Sequence, residues 1–289
     1  MRLPQFEHLA PSTIEEACAF LAAHGNSALP LAGGTDLLVK MKVRKVVPQY
    51  LVDLKGISGM DSIRFSEQDG LRIGALATIQ SLKNSVVVKR QCKILAQAAA
   101  TESSVQIRNI ATLGGNIANA SPAGDAPLAL IAAGASAVLT GTGGQREVLL
   151  DTFFTAPGKT ILQPGELVSE IHIPPMPPRT GAAYLKHSTR RTDIAIVSVA
   201  VVLTLVKDVC TGVKIGLGSV APTIMRARKA EAFLTGKAIS EALANAAAQV
   251  ATKECSPIDD IRRSAGYRKN TVTEITKLAI LQAVLDAKS

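Results

Sequence analysis

Leu31-Ala32-Gly33-Gly34-Thr35-Asp36-Leu37 carries the reading of this chain. Ala28-Leu29-Pro30-Leu31-Ala32 reads as a short strand, Gly33-Gly34 as a turn, and Thr35 as a cap for a helix running to about Arg44. Glycines remove Cβ bulk, so consecutive backbone N–H groups can converge on an anion beside a positive helix N-terminus. No Gly-Lys-Ser/Thr follows and the spacing is not G-x-G-x-x-G, so neither standard nucleotide loop is present. By itself the stretch is either an ordinary strand-to-helix turn or a phosphate cradle. Asp36 would repel a phosphate, and is expected to turn back toward the amides of its own helix.

A second cluster, Thr112-Leu113-Gly114-Gly115-Asn116-Ile117-Ala118 followed by Ser121-Pro122-Ala123-Gly124-Asp125, is rich in hydroxyl, amide and carboxylate groups. Such a stretch suits a polar ligand wall better than a core, although a structural loop is the alternative. Upstream, Ser12-Thr13 with Glu15-Glu16 offers two capping boxes for a helix that ends at His24-Gly25. Tyr50 to Leu54 is a strand. Ile63-Arg64-Phe65 and Leu71-Arg72-Ile73-Gly74 form a hairpin, and helices follow at Thr78 to Asn84, Lys93 to Ala100 and Ala126 to Ala133. Strands are expected at Ala135 to Thr140, Arg146 to Leu150 and Leu167 to Ile173.

Pro174-Pro175-Met176-Pro177-Pro178 marks the best domain boundary, because proline-rich chain is extended and semi-rigid. Beyond it, strands at Ala182 to Lys186, Ile194 to Val206 and Gly212 to Gly218 precede helices at Met225 to Leu234, Ser240 to Glu254 and Thr273 to Ala287. Strands grouped before helices predict a three-stranded α+β domain with helices on one sheet face.

Composition narrows the function classes. The chain has 289 residues, enough for two domains, with 47% apolar and 19% charged residues, which argues against disorder. The longest nearly apolar run, Ile194 to Val206, falls short of the roughly 20 residues of a membrane helix. No secretion signal is visible, so a soluble, cytoplasmic protein is expected. Cys18, Cys92, Cys210 and Cys255 are too dispersed for an iron–sulfur cluster, zinc knuckle or disulfide framework, and read as small buried hydrophobes. His8, His24, His172 and His187 show no metal spacing. The net charge of +9 invites nucleic acid, but six Phe, three Tyr and no Trp make a thin stacking platform, and the basic residues are scattered. No nucleic-acid binding is expected.

Five motifs in order resemble one family: Ala32-Gly33-Gly34-Thr35-Asp36-Leu37; Gln106-Ile107-Arg108-Asn109 running into Ala111-Thr112-Leu113-Gly114-Gly115-Asn116; Ser121-Pro122-Ala123-Gly124-Asp125; Pro164-Gly165-Glu166 with Ile171-His172-Ile173-Pro174; and Lys186-His187-Ser188-Thr189-Arg190-Arg191 with Asp193-Ile194-Ala195. They resemble the flavin-binding medium subunit of molybdenum hydroxylases, the family of xanthine, nicotinate and carbon monoxide dehydrogenases. The resemblance implies an α+β protein. An FAD-binding domain of the vanillyl-alcohol-oxidase (PCMH) type would span residues 1–176, with subdomains of about 1–56 and 57–176. A C-terminal domain of the CO dehydrogenase flavoprotein type would span 177–289. Thr35-Asp36 looks more like the xanthine and nicotinate branch than the carbon monoxide branch.

The resemblance also implies site residues. Pro30, Leu31, Ala32, Gly33, Gly34, Thr35, Asp36 and Leu37 would form one loop around the FAD pyrophosphate, and Thr112, Leu113, Gly114, Gly115 and Asn116 the other, with backbone donors doing most of the binding. Asp125, Val168 and Lys186 match further FAD contacts, the carboxylate accepting from ribose or ribityl hydroxyls. The family often has a bulky aromatic near Glu102, which is absent here. FAD would be non-covalent. Molybdopterin would sit on a large partner subunit and two [2Fe-2S] clusters on a small one. Electrons would collect on the flavin for NAD+ or another acceptor. No protein acid or base is implied as indispensable, so no catalytic residue is assigned. The extra four-iron cluster of benzoyl-CoA-type reductases lacks its cysteines here. A stand-alone FAD oxidase of the same fold and a non-enzymatic basic binding module are the alternatives.

Overall fold

A computed structural model describes residues 2–289. The chain opens with β1 (Glu7–Leu9), α1 (Ile14–His24), β2 (Ala28–Leu31), α2 (Leu37–Lys42) and β3 (Tyr50–Asp53). β1 and β2 both pair in parallel with β3, the central strand of three. Of the two possible capping boxes at α1, Thr13 is the one used. Its hydroxyl accepts from the Glu16 amide at 3.2 Å, while the Glu16 carboxylate reaches back to the Ser12 amide at 2.9 Å. His24 ends the helix and stacks on Phe20.

The middle of the chain contains β4 (Ile63–Ser66), β5 (Gly70–Gly74), α3 (Ile79–Asn84), α4 (Val86–Gln91), α5 (Lys93–Thr101), α6 (Val105–Arg108), α7 (Leu113–Ala118), α8 (Asp125–Ala133), β6 (Ser136–Gly141), β7 (Gly144–Leu149), a small hairpin of β8 (Phe154–Ala156) and β9 (Lys159–Thr160), and β10 (Leu167–Ile173). An antiparallel sheet forms in the order β4-β5-β10-β6-β7. The apolar faces of this sheet and of α5 and α8 form one core, with Ile73, Ile94, Leu95, Leu128 and Ile171 excluded from solvent. The short helix α7 lies in the glycine-rich stretch whose alternative reading is a structural loop, and α6 just precedes it. Each is begun by a side-chain cap, Ser104 on the Ile107 amide and Thr112 on the Gly115 amide.

The last part comprises β11 (Thr180–His187), β12 (Val197–Val206), β13 (Val209–Gly218), β14 (Met225–Arg226), α9 (Arg228–Leu234), α10 (Glu241–Glu254) and α11 (Ala265–Lys288). The expected three strands are four, because Met225-Arg226 stays extended against Gly216-Leu217 before the helix begins. β12 and β13 join through Lys207-Asp208, both at positive φ, a tight turn made without glycine.

The helices of this part lie on one face of its sheet, as expected, while the opposite face is buried as well. Ala183, Val199, Val201 and Leu203 face α10 and α11, whereas Ala182, Tyr184, Ala200 and Val202 belong to the core shared with α5 and α8. A strand buried on both faces is apolar on both, which explains the nearly continuous run in β12, interrupted by Ser198 and Thr204. Among the described residues, no helix is long and apolar enough to cross a membrane.

Candidate functional site

The two glycine-rich stretches meet. A Cβ on Gly33 would fall 1.9 Å from the Ile110 carbonyl oxygen, and one on Gly114 would fall 2.6 Å from Ala75 Cβ. These glycines are therefore required by the close approach of chain segments to each other. Gly34 has φ +69, the left-handed conformation that lets the loop turn into α2.

The loops wall a cavity of about 350 Å³. Pro30, Ala32, Gly33, Gly34, Thr35, Asp36, Leu37, Thr112, Gly114, Gly115, Asn116 and Val168 all line it. A cavity of about 530 Å³ adjoins it across Ala32, Gly33 and Thr112, and Leu31 lines that one. Both volumes suit a bound small molecule. Leu113 is buried in the core. Val168 stands on β10 where the pairing with β6 shifts register, which aims its apolar side chain at the cavity.

The backbone donors divide unequally. The amides of Gly33, Gly34, Thr35 and Asp36 donate to no protein acceptor among the described residues. Four successive unpaired amides beside a cavity are the donor set that an anion can use. In the second stretch the amides are spent on the fold: Leu113 donates to Ala77, Gly114 to Ala75, Gly115 to the Thr112 hydroxyl and Asn116 to the Thr112 carbonyl. Of the second loop's five residues only Thr112 keeps an amide without a protein acceptor among the described residues, which cuts the backbone donors expected of that loop to one.

Asp36 does not turn back onto its helix. It occupies the N-cap position of α2 without a side-chain capping bond, is exposed, and lines the cavity. Among the residues lining the cavity Lys40 is the single cation; its Nζ donates to Asn119 Oδ1 at 2.7 Å. Neither Lys40 nor Asn119 is found by motif reading, although Lys40 lies one helical turn beyond Asp36, which puts it on the same side of α2.

Asp125 and Lys186 come together, away from the cavity lining. Lys186 Nζ donates to Asp125 Oδ2 at 2.6 Å, and both side chains are about 5% exposed or less. Tyr184 Oη donates to Asp125 Oδ1 at 2.5 Å. The carboxylate expected to accept from a sugar hydroxyl thus has both oxygens occupied by β11. Burial pushes the Asp125 carboxyl up, against the pull of Lys186, and drives the Tyr184 phenol well above its ordinary range.

Glu102, where the sequence lacks an aromatic, is tied to the cavity wall: its Oε1 accepts from Asn116 Nδ2 at 2.6 Å. Arg190 is exposed in the loop between β11 and β12. A larger cavity, about 750 Å³, lies elsewhere, between β4, β5 and β7. Its arginines are committed to carboxylates, Arg64 and Arg72 to Glu170 and Arg146 to Glu166.

Comparison with known proteins places the chain in a family. Residues 4–176 match the family described as the FAD binding domain in molybdopterin dehydrogenase, and residues 182–283 match the CO dehydrogenase flavoprotein C-terminal domain. The chain belongs to the FAD-binding subunits of the molybdenum hydroxylases. It is 36% identical to the carbon monoxide dehydrogenase medium chain of Hydrogenophaga pseudoflava, over 96% of each chain. It is 28% identical to the xanthine dehydrogenase FAD-binding subunit of Escherichia coli O157:H7, over 96% of this chain and 95% of the other. The solved carbon monoxide dehydrogenase of Hydrogenophaga pseudoflava lacking the Mo-pyranopterin moiety superposes with a TM-score of 0.95 at 37% identity, covering 98% of both chains. These identities do not single out the xanthine branch, toward which Thr35-Asp36 leans. Members of this family of oxidoreductase subunits are flavoproteins, and the unpaired amides of the first loop suit a pyrophosphate.

Proposed function

We propose that this chain is the FAD-carrying electron relay of a heteromeric molybdenum hydroxylase. The observation that carries the reading is the row of four unpaired amides, Gly33 to Asp36, on the wall of a cavity in a chain of this family. Those amides, with Lys40, bind the diphosphate; Pro30, Leu37 and Val168 give apolar contact; Thr112 to Asn116 close the second side. Asp125 and Lys186 brace the wall behind Glu102 and Asn116.

Residues 1–176, with subdomains of about 1–56 and 57–176, form the FAD-binding domain, and 177–289 the C-terminal domain. The cavity lining contains no His, Cys or Tyr, the residues that link flavins covalently, so the flavin is held without a bond. Bound FAD supplies the exchange between one-electron and two-electron transfer. The chain's residues bind and orient it and leave one face for electron entry from a partner.

The partners are a large subunit holding molybdopterin and a small subunit holding [2Fe-2S] clusters, in the cytoplasm, with NAD+ or another small acceptor taking the electrons. No group of His, Cys, Asp and Glu among the described residues is arranged to hold a metal. On this reading the substrate is chosen on the large subunit that holds molybdopterin.

The test is to express the chain alone and with its genomic neighbours. A yellow protein that copurifies with two chains bearing cluster and molybdenum absorption supports the reading. The lone chain, loaded with FAD, shows no hydroxylase turnover. Hydroxylation by that chain, or a gentle pull-down without a molybdenum or iron–sulfur partner, overturns it.

A further inference from the structure

Ile261 is 99% exposed, more than any other large apolar side chain among the described residues. Ile258 at 71%, Ile194 at 54% and Tyr267 at 40% share its surroundings. They lie on two irregular segments, 188–196 between β11 and β12 and 255–264 before α11, and on the first turn of α11. Specific contacts hold the three pieces together. His187 Nε2 and Tyr267 Oη meet at 2.9 Å, and Arg268 Nη1 donates to the Ile196 carbonyl at 2.5 Å. Arg268 also pairs with Asp260 at 2.8 Å, and Asp260 Oδ1 accepts from the amides of Arg262 at 2.8 Å and Arg263 at 3.1 Å. The exposed side chains are thus presented on a fixed backbone. Clustered apolar exposure with a charged rim marks an interaction site, whereas scattered single side chains do not.

The rim carries charge of one sign. Within the two segments Asp260 is occupied by Arg262 and Arg268, and Asp259 by the Ala265 amide. Arg190, Arg191 and Arg263 pair with no carboxylate among the described residues, and Asp193 alone stands against them. The Arg263 guanidinium lies 5.2 Å from the centre of the Tyr267 ring. Tyrosine and arginine are the side chains that most often anchor protein interfaces. One exposed ring is a poor stacking platform for nucleic acid, so the complement is a protein surface with carboxylates around an apolar socket. Position narrows the partner. The loop after β11 springs from Lys186, whose Nζ donates to the Thr101 carbonyl at 3.2 Å. The next residue, Glu102, holds Asn116 of the cavity lining. The patch therefore begins a few contacts from the cofactor wall, where a redox partner has to come close.

We infer that this patch is the docking surface for the small iron–sulfur subunit, whose matching face carries carboxylates around an apolar socket. The inference rests on the proposed role of the chain as the FAD-carrying subunit of such an assembly. Ile258 and Ile261 enter the socket, and their apolar surface leaves water only on docking. Tyr267, with Arg263 over its ring, forms a flat shoulder beside them. Arg190 and Arg191 steer the approach by long-range attraction, which salt screens over about 8–10 Å.

The experiment titrates the full-length, FAD-loaded chain with the purified small subunit and, separately, with the large one, and runs the lone chain on gel filtration. Ile261→Asp weakens binding of the small subunit about thirtyfold or more. Its flavin content and melting temperature stay at wild type, because the side chain is almost wholly in water. Arg190→Glu combined with Arg191→Glu slows association and flattens its dependence on salt. Leu285→Asp, at a side chain 69% exposed and roughly 27 Å further along α11 than Tyr267, leaves binding unchanged. Unchanged affinity in Ile261→Asp, loss of the large subunit in place of the small one, or a dimer of the lone chain that Ile261→Asp dissolves overturns the inference. The two readings fail separately. A wild-type chain that binds neither subunit defeats the proposed assembly, whereas wild-type binding that survives intact in Ile261→Asp defeats the patch alone.

Discussion

Lys186 and Asp125 show how much one buried pair governs here. Each is nearly excluded from solvent, and each belongs to a different element, β11 and α8. Removing one partner strands the other as an uncompensated buried charge, whereas removing both discharges the site. Lys186→Met is expected to cost about 3 kcal/mol of stability in urea unfolding. Adding Asp125→Asn should recover at least half of that loss; a double variant as unstable as the single one contradicts this account. Glu102 makes a second prediction at the same scale. Its folded pKa of about 8 lies above the ordinary 4.5, so the folded protein binds more protons than the unfolded chain between those values. Its stabilising contribution is full below the ordinary value and is lost as pH rises through about 8. Glu102→Gln cannot ionise and lacks that slope. Melting temperatures measured from acid to mildly alkaline pH should therefore show the wild type losing ground to Glu102→Gln as pH rises; parallel curves would remove Glu102 as the titrating group.

Among the elements, two close approaches depend on single glycines. Gly33 brings the first loop against Ile110, and Gly181 brings β11 against α11, where an added Cβ would fall 2.0 Å from the Ala283 carbonyl oxygen. Gly33→Ala forces the loops apart and spoils the alignment of the four free amides. The purified variant is expected to hold clearly less flavin per chain than wild type, with unchanged far-ultraviolet circular dichroism; equal flavin content would disprove the alignment argument. Gly181→Val drives a side chain into the backbone of α11, the longest helix. Overpacking against backbone rather than a yielding side chain belongs at the upper end of the usual range, so about 3 kcal/mol is expected, read from denaturant midpoints. Gly212, two strands away on β13 and with open space around its missing Cβ, serves as the control, because Gly212→Ala should leave the midpoint near wild type.

At the scale of the molecule, the sheet of β11 to β14 is covered by the C-terminal helices on one side and by α5 and α8 on the other. Leu128 of α8 fills the space above Gly216 and Gly218 on β13 and is itself fully buried. Further ties cross the same boundary: Lys93 pairs with Asp286, Tyr184 N–H donates to Gln97 Oε1 at 3.2 Å, and Asp151 accepts from Arg226 and Arg228. A boundary built as a core leaves little freedom for relative motion. The chain is expected to unfold in one cooperative transition by calorimetry. Leu128→Ala should lower that single transition by about 2–5 kcal/mol. Two resolved transitions, with the second untouched by the substitution, would show that the parts melt independently.

Much of this was legible in residue order. The Ser12-Thr13 cap, the Ala28–Leu31 strand, the Gly33-Gly34 turn, the Leu71–Gly74 hairpin strand and the five motifs of the family are local signals, set by backbone preference and side-chain reach within a few residues. Three features were not. The long apolar stretch ending at Val206 reads as a strand but does not say that its two faces serve different cores, because burial on a second face is a property of α5 and α8 arriving from far upstream. The tight turn at Lys207-Asp208 carries no glycine, so the pairing of β12 with β13 imposes its left-handed backbone. The glycines and carboxylates of the site changed meaning most. Gly33 and Gly114 are excluded from bearing side chains by Ile110 and Ala75, Asp125 is claimed by Tyr184 and Lys186, and Glu102 is claimed by Asn116. Sequence determined which groups this protein owns and the family it belongs to. Which of those groups are spent on one another, and which remain free for a ligand, was decided only when distant segments closed to hydrogen-bonding distance.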